Sequence, residues 1–307
     1  MTAPPLVSAV MAVYNGADLI GESIASALAQ SHESLELLVV DDGSTDATAA
    51  LVGRWRERDR RVKLLSCAHG GQALALNLGI AASRGAYIAR LDHDDLWHRD
   101  RLKLQLGWME QEGLDVCGSW VRRIGDRSGV IRFAVGHEAI RHDTLFTCPI
   151  LDSATLFRSR VLRDNPYPPS AIVRTEMVQL VRLLGRYRFG NMPRVLANYR
   201  MHAAQKTKRL IGLAAYRQRQ LQEQHFERMF PDASEEERRT FALAIGHAPL
   251  ELDDLLRVAD LFIRRLRSPD REARQRVVLH WRRLAARRSD PRLKHMLRRR
   301  LDAAFLA

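Results

Sequence analysis

Four short apolar runs, each of strand length and each followed by a segment of helical spacing, occupy the first hundred residues of this 307-residue chain. Residues 6–13 read LVSAVMAV and stop at Asn15-Gly16, after which Leu19, Ile20, Ile24, Ala27 and Leu28 recur with the period of a helix face. Residues 35–40 read LELLVV, too short for a helix, and end on Asp41-Asp42-Gly43-Ser44-Thr45-Asp46. Ser44 or Thr45 would cap the helix that carries Ala47, Leu51, Val52 and Trp55 on one face. Val62 to Ser66 reads as a third strand, Gln72 to Ser83 as a third helix, and Ala86 to Leu91 as a fourth strand running into Asp92-His93-Asp94-Asp95. Near-continuous apolar strands alternating with helices predict an α/β fold, a Rossmann-like, mostly parallel sheet flanked by helices. In such sheets ligands bind beyond the carboxyl ends of the strands.

The remaining pattern is mixed and then helical. A helix is expected over Leu102 to Glu112, and strands over Val116 to Val121 and Gly129 to Val135, joined by a turn at Gly125-Asp126. A further strand is expected over Asp152 to Phe157, a helix over Thr175 to Leu184 and a short strand over Val195 to Tyr199. Three prolines in residues 164–170 require a loop. From residue 206 the spacing is helical throughout. Val277, Trp281, Leu284 and then Leu293, Met296, Leu297, Leu301 and Phe305 fall three and four apart among arginines.

Charge separates the same two regions. The chain carries a net +13, but residues 203–307 hold 24 Lys or Arg against 14 Asp or Glu, and residues 1–202 only 25 against 22. The first two thirds therefore need no polyanionic partner, and no nucleic acid is expected. No apolar run reaches the roughly 18 residues that span a bilayer, and Met1 to Pro5 lacks the pattern of a signal peptide. The reading is a cytoplasmic protein, in which the basic helices of residues 206–307 are either solvated faces of an appendage whose apolar stripes pack on the main domain or a peripheral contact to the inner face of an anionic membrane. Cys67, Cys117 and Cys148 are three, widely spaced and without a Cys-x-x-Cys, so neither a disulfide framework nor a zinc knuckle is expected. His137-Glu138 and His142 are one residue too far apart for a zincin helix, since five residues turn the second histidine off the first one's face.

The acidic clusters at the ends of the second and fourth strands carry the chemistry. Five or more carboxylates on one rim repel unless a cation or a set of donors neutralises them. Asp-x-Asp on a turn offers oxygens to one hard cation, which keeps positions open for phosphate oxygens. Aspartates ahead of a helix also serve as caps, and that is the bland alternative for Asp92 and Asp94.

In order, VSAVMAVYNG, LVVDDGSTD and ALNLGIAASRGAYIARLDHDDLW resemble the family 2 glycosyltransferases, whose nucleotide-sugar domain is called the GT-A fold. The resemblance covers about residues 6–202 and is strongest through residue 110. It implies a GT-A domain over 1–205, with a nucleotide-sugar half over 1–110 and an acceptor half over 111–205, and leaves 206–307 as a basic, all-helical region. By resemblance, Ala12, Tyr14, Asn15, Asp41 and Asp42 hold the base and ribose, and a carboxylate such as Asp41 suits the imide N–H of uracil. Gly70, Gly71 and Asn77 match the loop and helix start beneath the donor. Asp92 and Asp94, with His93 between them, match the D-x-D motif. Asp94 foremost, Asp92 and His202 would attend a Mn2+ or Mg2+ ion, with His202 closing the segment Tyr199-Arg200-Met201-His202.

Aligned on Arg182 and Leu183, Glu176 takes the place of the family's catalytic base and Thr175 replaces an acidic neighbour. The reaction implied is metal-dependent, inverting transfer from a nucleotide-diphosphate sugar, a UDP-sugar foremost, to a hydroxyl of a glycan or lipid-linked acceptor. On the acceptor side Asp152 stands where a histidine is frequent, and the proline-rich loop 164–170 replaces a glycine-rich one. Two other readings belong beside it. One is a sugar nucleotidyltransferase, against which Tyr14-Asn15-Gly16-Ala17-Asp18 lacks a basic glycine-rich loop. The other is a non-catalytic nucleotide-sugar-binding module whose basic helices bind a partner.

Overall fold

A computed structural model describes residues 3–203, 205, 210–246, 252–266 and 268–285. The chain forms two compact units, Met1–Phe133 with Ile150–Leu210, and Ala134–Pro149 with Ile211–Ala307.

The first unit is built on one sheet. Its parallel half comprises β1 (Val7–Val13), β2 (Leu35–Asp41), β3 (Val62–Ser66) and β4 (Tyr87–Arg90). Its mixed half comprises β5 (Leu96–Trp97), β6 (Val116–Gly125), β7 (Gly129–Ile131), β8 (Leu156–Arg158) and β9 (Phe189–Met201). The strand order is β3-β2-β1-β4-β8-β6-β9-β5, with β7 paired to β6. β1, β2 and β4 are buried at every residue, as strands covered on both faces must be. Helices α1 (Ile20–Leu28), α2 (Thr48–Arg58), α3 (Gln72–Ala82) and α4 (Arg101–Glu112) provide the cover. The chain passes from β1 outward to β2 and β3, then returns to lay β4 on the other side of β1. This reversal opens a crevice between the carboxyl ends of β1 and β4, the place where sheets of this kind receive ligands.

Several elements differ from the expectations. α2 begins at Thr48, and Ser44 and Thr45 do not cap it. Asp46 Oδ1 instead accepts from both the backbone N–H and the hydroxyl of Thr48. β9 is thirteen residues rather than five, because it runs parallel to β6 along the whole of that strand. Pro193, which has no N–H to give a ladder, falls in the register shift between Met192 and Val195 and conceals the strand's length in the sequence. Asp152–Ala154 is a 3-10 turn, so the strand there is only Leu156–Arg158. Gly125 ends β6 at a positive φ, and β7 reaches only Ile131. Helices α6 (Ser159–Arg163) and α7 (Thr175–Leu183) flank the proline loop.

The second unit is helical, with α5 (His137–Thr144), α8 (Ile211–Met229), α9 (Glu235–Ile245), α10 (Leu252–Arg265) and α11 (Arg271–Ala285). Phe226, Phe241, Phe262, Val277 and Trp281 form its core, with the Phe226 and Phe241 rings stacked at 4.3 Å. Glu272 accepts from the N–H groups of Val135 and Gly136 and so holds the start of α5. Asp143, fully buried, accepts from Arg276 and His280. Ser234 and Glu237 form a capping box on α9. Val277 and Trp281 thus lie in the core as their spacing predicts, whereas Leu293, Met296, Leu297, Leu301 and Phe305 lie outside the described residues. Among the described residues no helix is long and apolar enough to cross a membrane.

Candidate active site

The turn after β1 is fixed by the turn after β2. Asn15 adopts a left-handed conformation, φ 51°, that its short polar side chain tolerates. Its N–H donates to Ser44 Oγ at 2.9 Å, and its Oδ1 accepts from the Thr45 N–H at 2.8 Å. The N–H groups of Gly16 and Ala17 donate to Thr48 Oγ1 and Asp46 Oδ2. Ser44 and Thr45 therefore clamp the turn after β2 to the turn after β1 rather than capping a helix. Asp41 ends β2 and accepts from the Ser44 N–H at 3.0 Å, which uses one of about four acceptor positions on a carboxylate. Ala12 lies buried inside β1. Tyr14 is 42% exposed and stacks on His69, ring centroids 4.1 Å apart.

Asp42 is buried and turned toward the loop after β3. It accepts from the N–H groups of Gly70 at 2.8 Å and Gly71 at 2.9 Å and lies 3.0 Å from His69 Nδ1. Gly71 starts α3 at φ +93°, where a side chain would be strained. Asn77 faces elsewhere. Its amide donates to the carbonyl and accepts from the N–H of Tyr167, both at 2.8 Å, and thereby pins the proline loop.

The acidic turn after β4 is held from several directions. α4 has Asp100 at its N-cap position without a side-chain bond, and β5 intervenes, so Asp92 and Asp94 are not its caps. Asp92 donates its N–H to Ser153 Oγ and accepts from Arg90 Nη2 at 3.1 Å. The His93 carbonyl accepts from Ser23 Oγ, and the His93 ring closes over Gly16, where a Cβ would come within 2.5 Å of it. Asp94 Oδ2 lies 2.9 Å from His202 Nε2. Arg200 reinforces this junction, its N–H donating to Asp95 Oδ1 and its Nε to the Asp94 carbonyl.

Electrostatics follow from this crowding. Burial, then repulsion from Asp94 and Asp92, pushes the Asp95 carboxyl well above the usual carboxylate range. Burial pushes Asp152 up to about 7 against the pull of Arg90, with Glu176 and Asp92 adding to the rise. Glu176, in the first turn of α7, is also raised, by burial foremost and by Asp92, although Arg174 Nη1 sits 3.8 Å from its Oε1. Arg174 itself holds φ 56° at the N-cap, a strained conformation at the mouth of that helix. Among the described residues no three His, Cys, Asp or Glu side chains form a ready cage for a metal. The part-exposed Asp94–His202 pair nonetheless fits a hard cation that takes one or two protein ligands and completes its shell with phosphate oxygens and water.

The family model for glycosyl transferase family 2 matches residues 8–162. The chain belongs to that family. An uncharacterized glycosyltransferase of Haemophilus influenzae is 30% identical over 222 residues, covering 66% of this chain and 67% of that one. A putative teichuronic acid biosynthesis glycosyltransferase, TuaG of Bacillus subtilis, is 28% identical over 200 residues, 64% of this chain and 79% of that one. An uncharacterized glycosyltransferase of Rickettsia conorii is 28% identical over 206 residues, and this chain spans only 34% of its length. Among solved structures, S. aureus TarS 1-349 in complex with UDP-GlcNAc superposes with a TM-score of 0.56 at 18% identity, covering 98% of this chain and 89% of that one. The mannosyltransferase PcManGT of Pyrobaculum calidifontis, in complex with GDP-Man and Mn2+, gives 0.57 at 20% identity, covering 99% and 87%. These likenesses establish the fold as GT-A.

The family 2 frame sorts the residues singled out from sequence. Ala12, Tyr14, Asn15, Asp41, Asp42 and Gly71 converge at the ends of β1 and β2, and Asp92, His93, Asp94 and His202 at the end of β4. Glu176 stands within electrostatic reach of Asp92. Asn77 is not brought to the rim. Arg90, Asp95 and His69 received no role from sequence. Arg90 had a signal, since a charged residue in the apolar run AYIARL must have a buried partner.

Proposed function

We propose that this chain is a glycosyltransferase that moves a sugar from a nucleotide-diphosphate sugar to a hydroxyl of a glycan or lipid-linked acceptor, with inversion at the anomeric carbon. The observation that carries this reading is the contact of Asp94 with His202 beside Asp92 at the end of β4, on the strand paired to β1, whose following turn Ser44 clamps at Asn15 and the His93 ring covers at Gly16. That juxtaposition gives one pole for a diphosphate and one for a nucleoside. The TarS and PcManGT structures in complex with UDP, UDP-GlcNAc and GDP-Man support such a donor. Asp41, with acceptor positions free on its carboxylate, favours uridine. The likeness to TuaG supports a polysaccharide acceptor.

In this reading residues 1–110 bind the donor and 111–205 the acceptor, while the excess of Lys and Arg over Asp and Glu in residues 206–307 suits contact with an anionic membrane. Glu176 acts as general base: it takes the proton from the acceptor hydroxyl while that oxygen bonds to the anomeric carbon. The bond from that carbon to the diphosphate breaks on the opposite face, and the diphosphate leaves with the electron pair. The raised pKa of Glu176 makes it a stronger base than a solvated carboxylate. Mn2+ or Mg2+ held at Asp94, His202 and Asp92 would neutralise charge on the diphosphate. Arg200 holds Asp94, and Ser153 holds Asp92, in place for that contact.

The test is a panel of UDP-, GDP- and dTDP-sugars with Mn2+, read as release of nucleoside diphosphate and of free sugar or glycoside product. Release from one donor in preference to the rest supports the reading. Pyrophosphate released from a nucleoside triphosphate would replace it with a nucleotidyltransferase, and binding without turnover of any donor with an acceptor panel would leave a binding module.

A further inference from the structure

Beneath the rim lies a guanidinium that the sheet fully encloses. Arg90 is the last residue of β4 and has no solvent exposure. Its Nη1 donates to the Val10 carbonyl in β1 at 2.7 Å, and its Nη2 donates to Asp92 Oδ1 at 3.1 Å and stands 3.8 Å from Asp152 Oδ2. Its backbone N–H donates to the Thr155 carbonyl just beyond the same 3-10 turn. One side chain thus ties β1, the acidic turn and residues 152–155 together. The turn is tied back twice more, through Ser153 Oγ to the Asp92 N–H and through the Ser153 carbonyl to Trp97 Nε1.

Among the described residues Arg90 Nε, Asp152 Oδ2 and the Tyr167 hydroxyl make no hydrogen bond of full geometry, although Arg90 and Tyr167 approach closely enough to interact. Burial opposes the charge on Arg90, but Asp152, Tyr167 and Asp92 outweigh it and raise its pKa. A buried ionic group with unsatisfied positions is poor value for stability compared with apolar packing. Arg101 makes the comparison within the same molecule. It is equally buried, but it bonds only Gln105 Oε1 and the carbonyls of Arg90 and Thr155 and lies over the Trp97 ring, and it has no carboxylate partner. Its contacts are those of a structural residue, whereas those of Arg90 end on a residue of the donor rim.

We propose that Arg90 is a positioning residue for the reaction, acting through Asp92: its buried fork fixes the Asp92 carboxylate against β1 and joins it to Asp152 on the acceptor side. The inference rests on the glycosyltransferase reading above. A planar fork with separate N–H groups reaches Val10, Asp92 and Asp152 at once, which a lysine ammonium on a flexible stem does not. Positioning through one residue has a signature that general destabilisation lacks. Once Asp92 is neutralised, altering Arg90 has little left to disturb.

The experiment is a double-mutant cycle on the full chain with Arg90→Lys, Asp92→Asn and their combination, and a parallel cycle with Arg101→Gln in place of Arg90→Lys. With the donor that the panel identifies, Arg90→Lys is expected to lower kcat/KM at least tenfold, and the double variant to fall no more than about threefold below Asp92→Asn alone. Arg101→Gln is expected to lower the melting temperature and to combine with Asp92→Asn multiplicatively. Multiplicative loss in the Arg90 cycle overturns the proposal. If Arg90→Lys does not fold, Asp152→Asn takes its place with the same expectation. Urea unfolding of the same variants reads the link without any donor: non-additivity of tenfold or more in the unfolding equilibrium constant is expected, and additivity overturns it. A wild-type protein that turns over no donor while this coupling persists counts against the glycosyltransferase reading and not against the link.

Discussion

His202 Nε2 lies 2.9 Å from Asp94 Oδ2, joining the end of β9 to the turn after β4 across 108 positions of sequence. The backbone at each residue is held independently, the Asp94 carbonyl by Arg200 Nε and the His202 N–H by Gln205 Oε1. A pair preset in this way spares a cation the work of assembling its ligands. His202→Ala is expected to weaken apparent Mn2+ affinity about 10- to 100-fold, the usual effect of losing a ligand or its supporting partner. Asp94→Ala should abolish metal-dependent turnover with the fold intact. Titration of Mn2+ against donor turnover, with circular dichroism to check folding, measures both. Near-normal turnover of a folded Asp94→Ala protein would remove the metal from this pair.

Glu176→Gln removes a base and keeps the side chain's shape. Turnover should drop about 10²- to 10⁴-fold, the range general-base catalysis supplies, while donor KM stays within a few fold. Single-turnover kinetics with saturating donor distinguish the two. If kcat hardly changes, the proton goes to another group, and Asp152, buried and raised to about 7, is next in line.

The His93 ring and Val13 leave no room for a methyl group on Gly16, where a Cβ would meet them at 2.5 and 2.6 Å. Gly16→Ala must push the His93 ring away or open the turn that Thr48 Oγ1 holds through the Gly16 N–H. A cost of about 1–3 kcal/mol follows from overpacking of this kind. The displaced ring also disturbs the D-x-D turn, so donor KM should rise beyond what lost stability explains. Urea unfolding and donor kinetics on the same variant check the two effects separately.

The parallel half of the sheet was legible because each strand is a short, mostly apolar run separated from the next by a segment of helical spacing. Val62–Ser66 came out as read. The mixed half was less so, since β9 carries Pro193 and Arg194 in its middle and owes its length to β6 rather than to its own pattern. Asp152 lost its strand because Thr155 N–H turns back to its carbonyl. At the site, the two acidic turns stood out from their spacing, whereas Ala12, Tyr14, Asn15 and His202 rested on the resemblance to the family. Asn77 was not legible, because its partner, the Tyr167 backbone, lies 90 residues away and a backbone amide leaves no mark in sequence. α5 passed unnoticed for a similar reason: its short helix is fixed by Glu272 and Arg276, far along the chain.

Acid should weaken the second unit before it reaches ordinary carboxylate pKa values. Burial, helped by the nearby Arg141, Arg228 and His142 charges, pushes His225 down to about 4, although the Arg141 carbonyl accepts from its Nε2 at 2.9 Å and pulls the other way. His142, also buried, is lowered too. An unfolded chain protonates these rings near pH 6.5, so between that pH and about 4 the unfolded state binds more protons than the folded one. Stability is therefore whole above pH 6.5 and falls as the pH drops toward 4, by up to about 3 kcal/mol from His225 alone at 1.36 kcal/mol per unit. His225→Gln keeps a donor for the Arg141 carbonyl without a titrating ring. It should flatten the pH dependence of α8 unfolding over that window, as followed by hydrogen exchange at pH 4.5, 5.5 and 6.5. A variant as acid-sensitive as the parent would move the effect to His142 or to the Asp143 cluster.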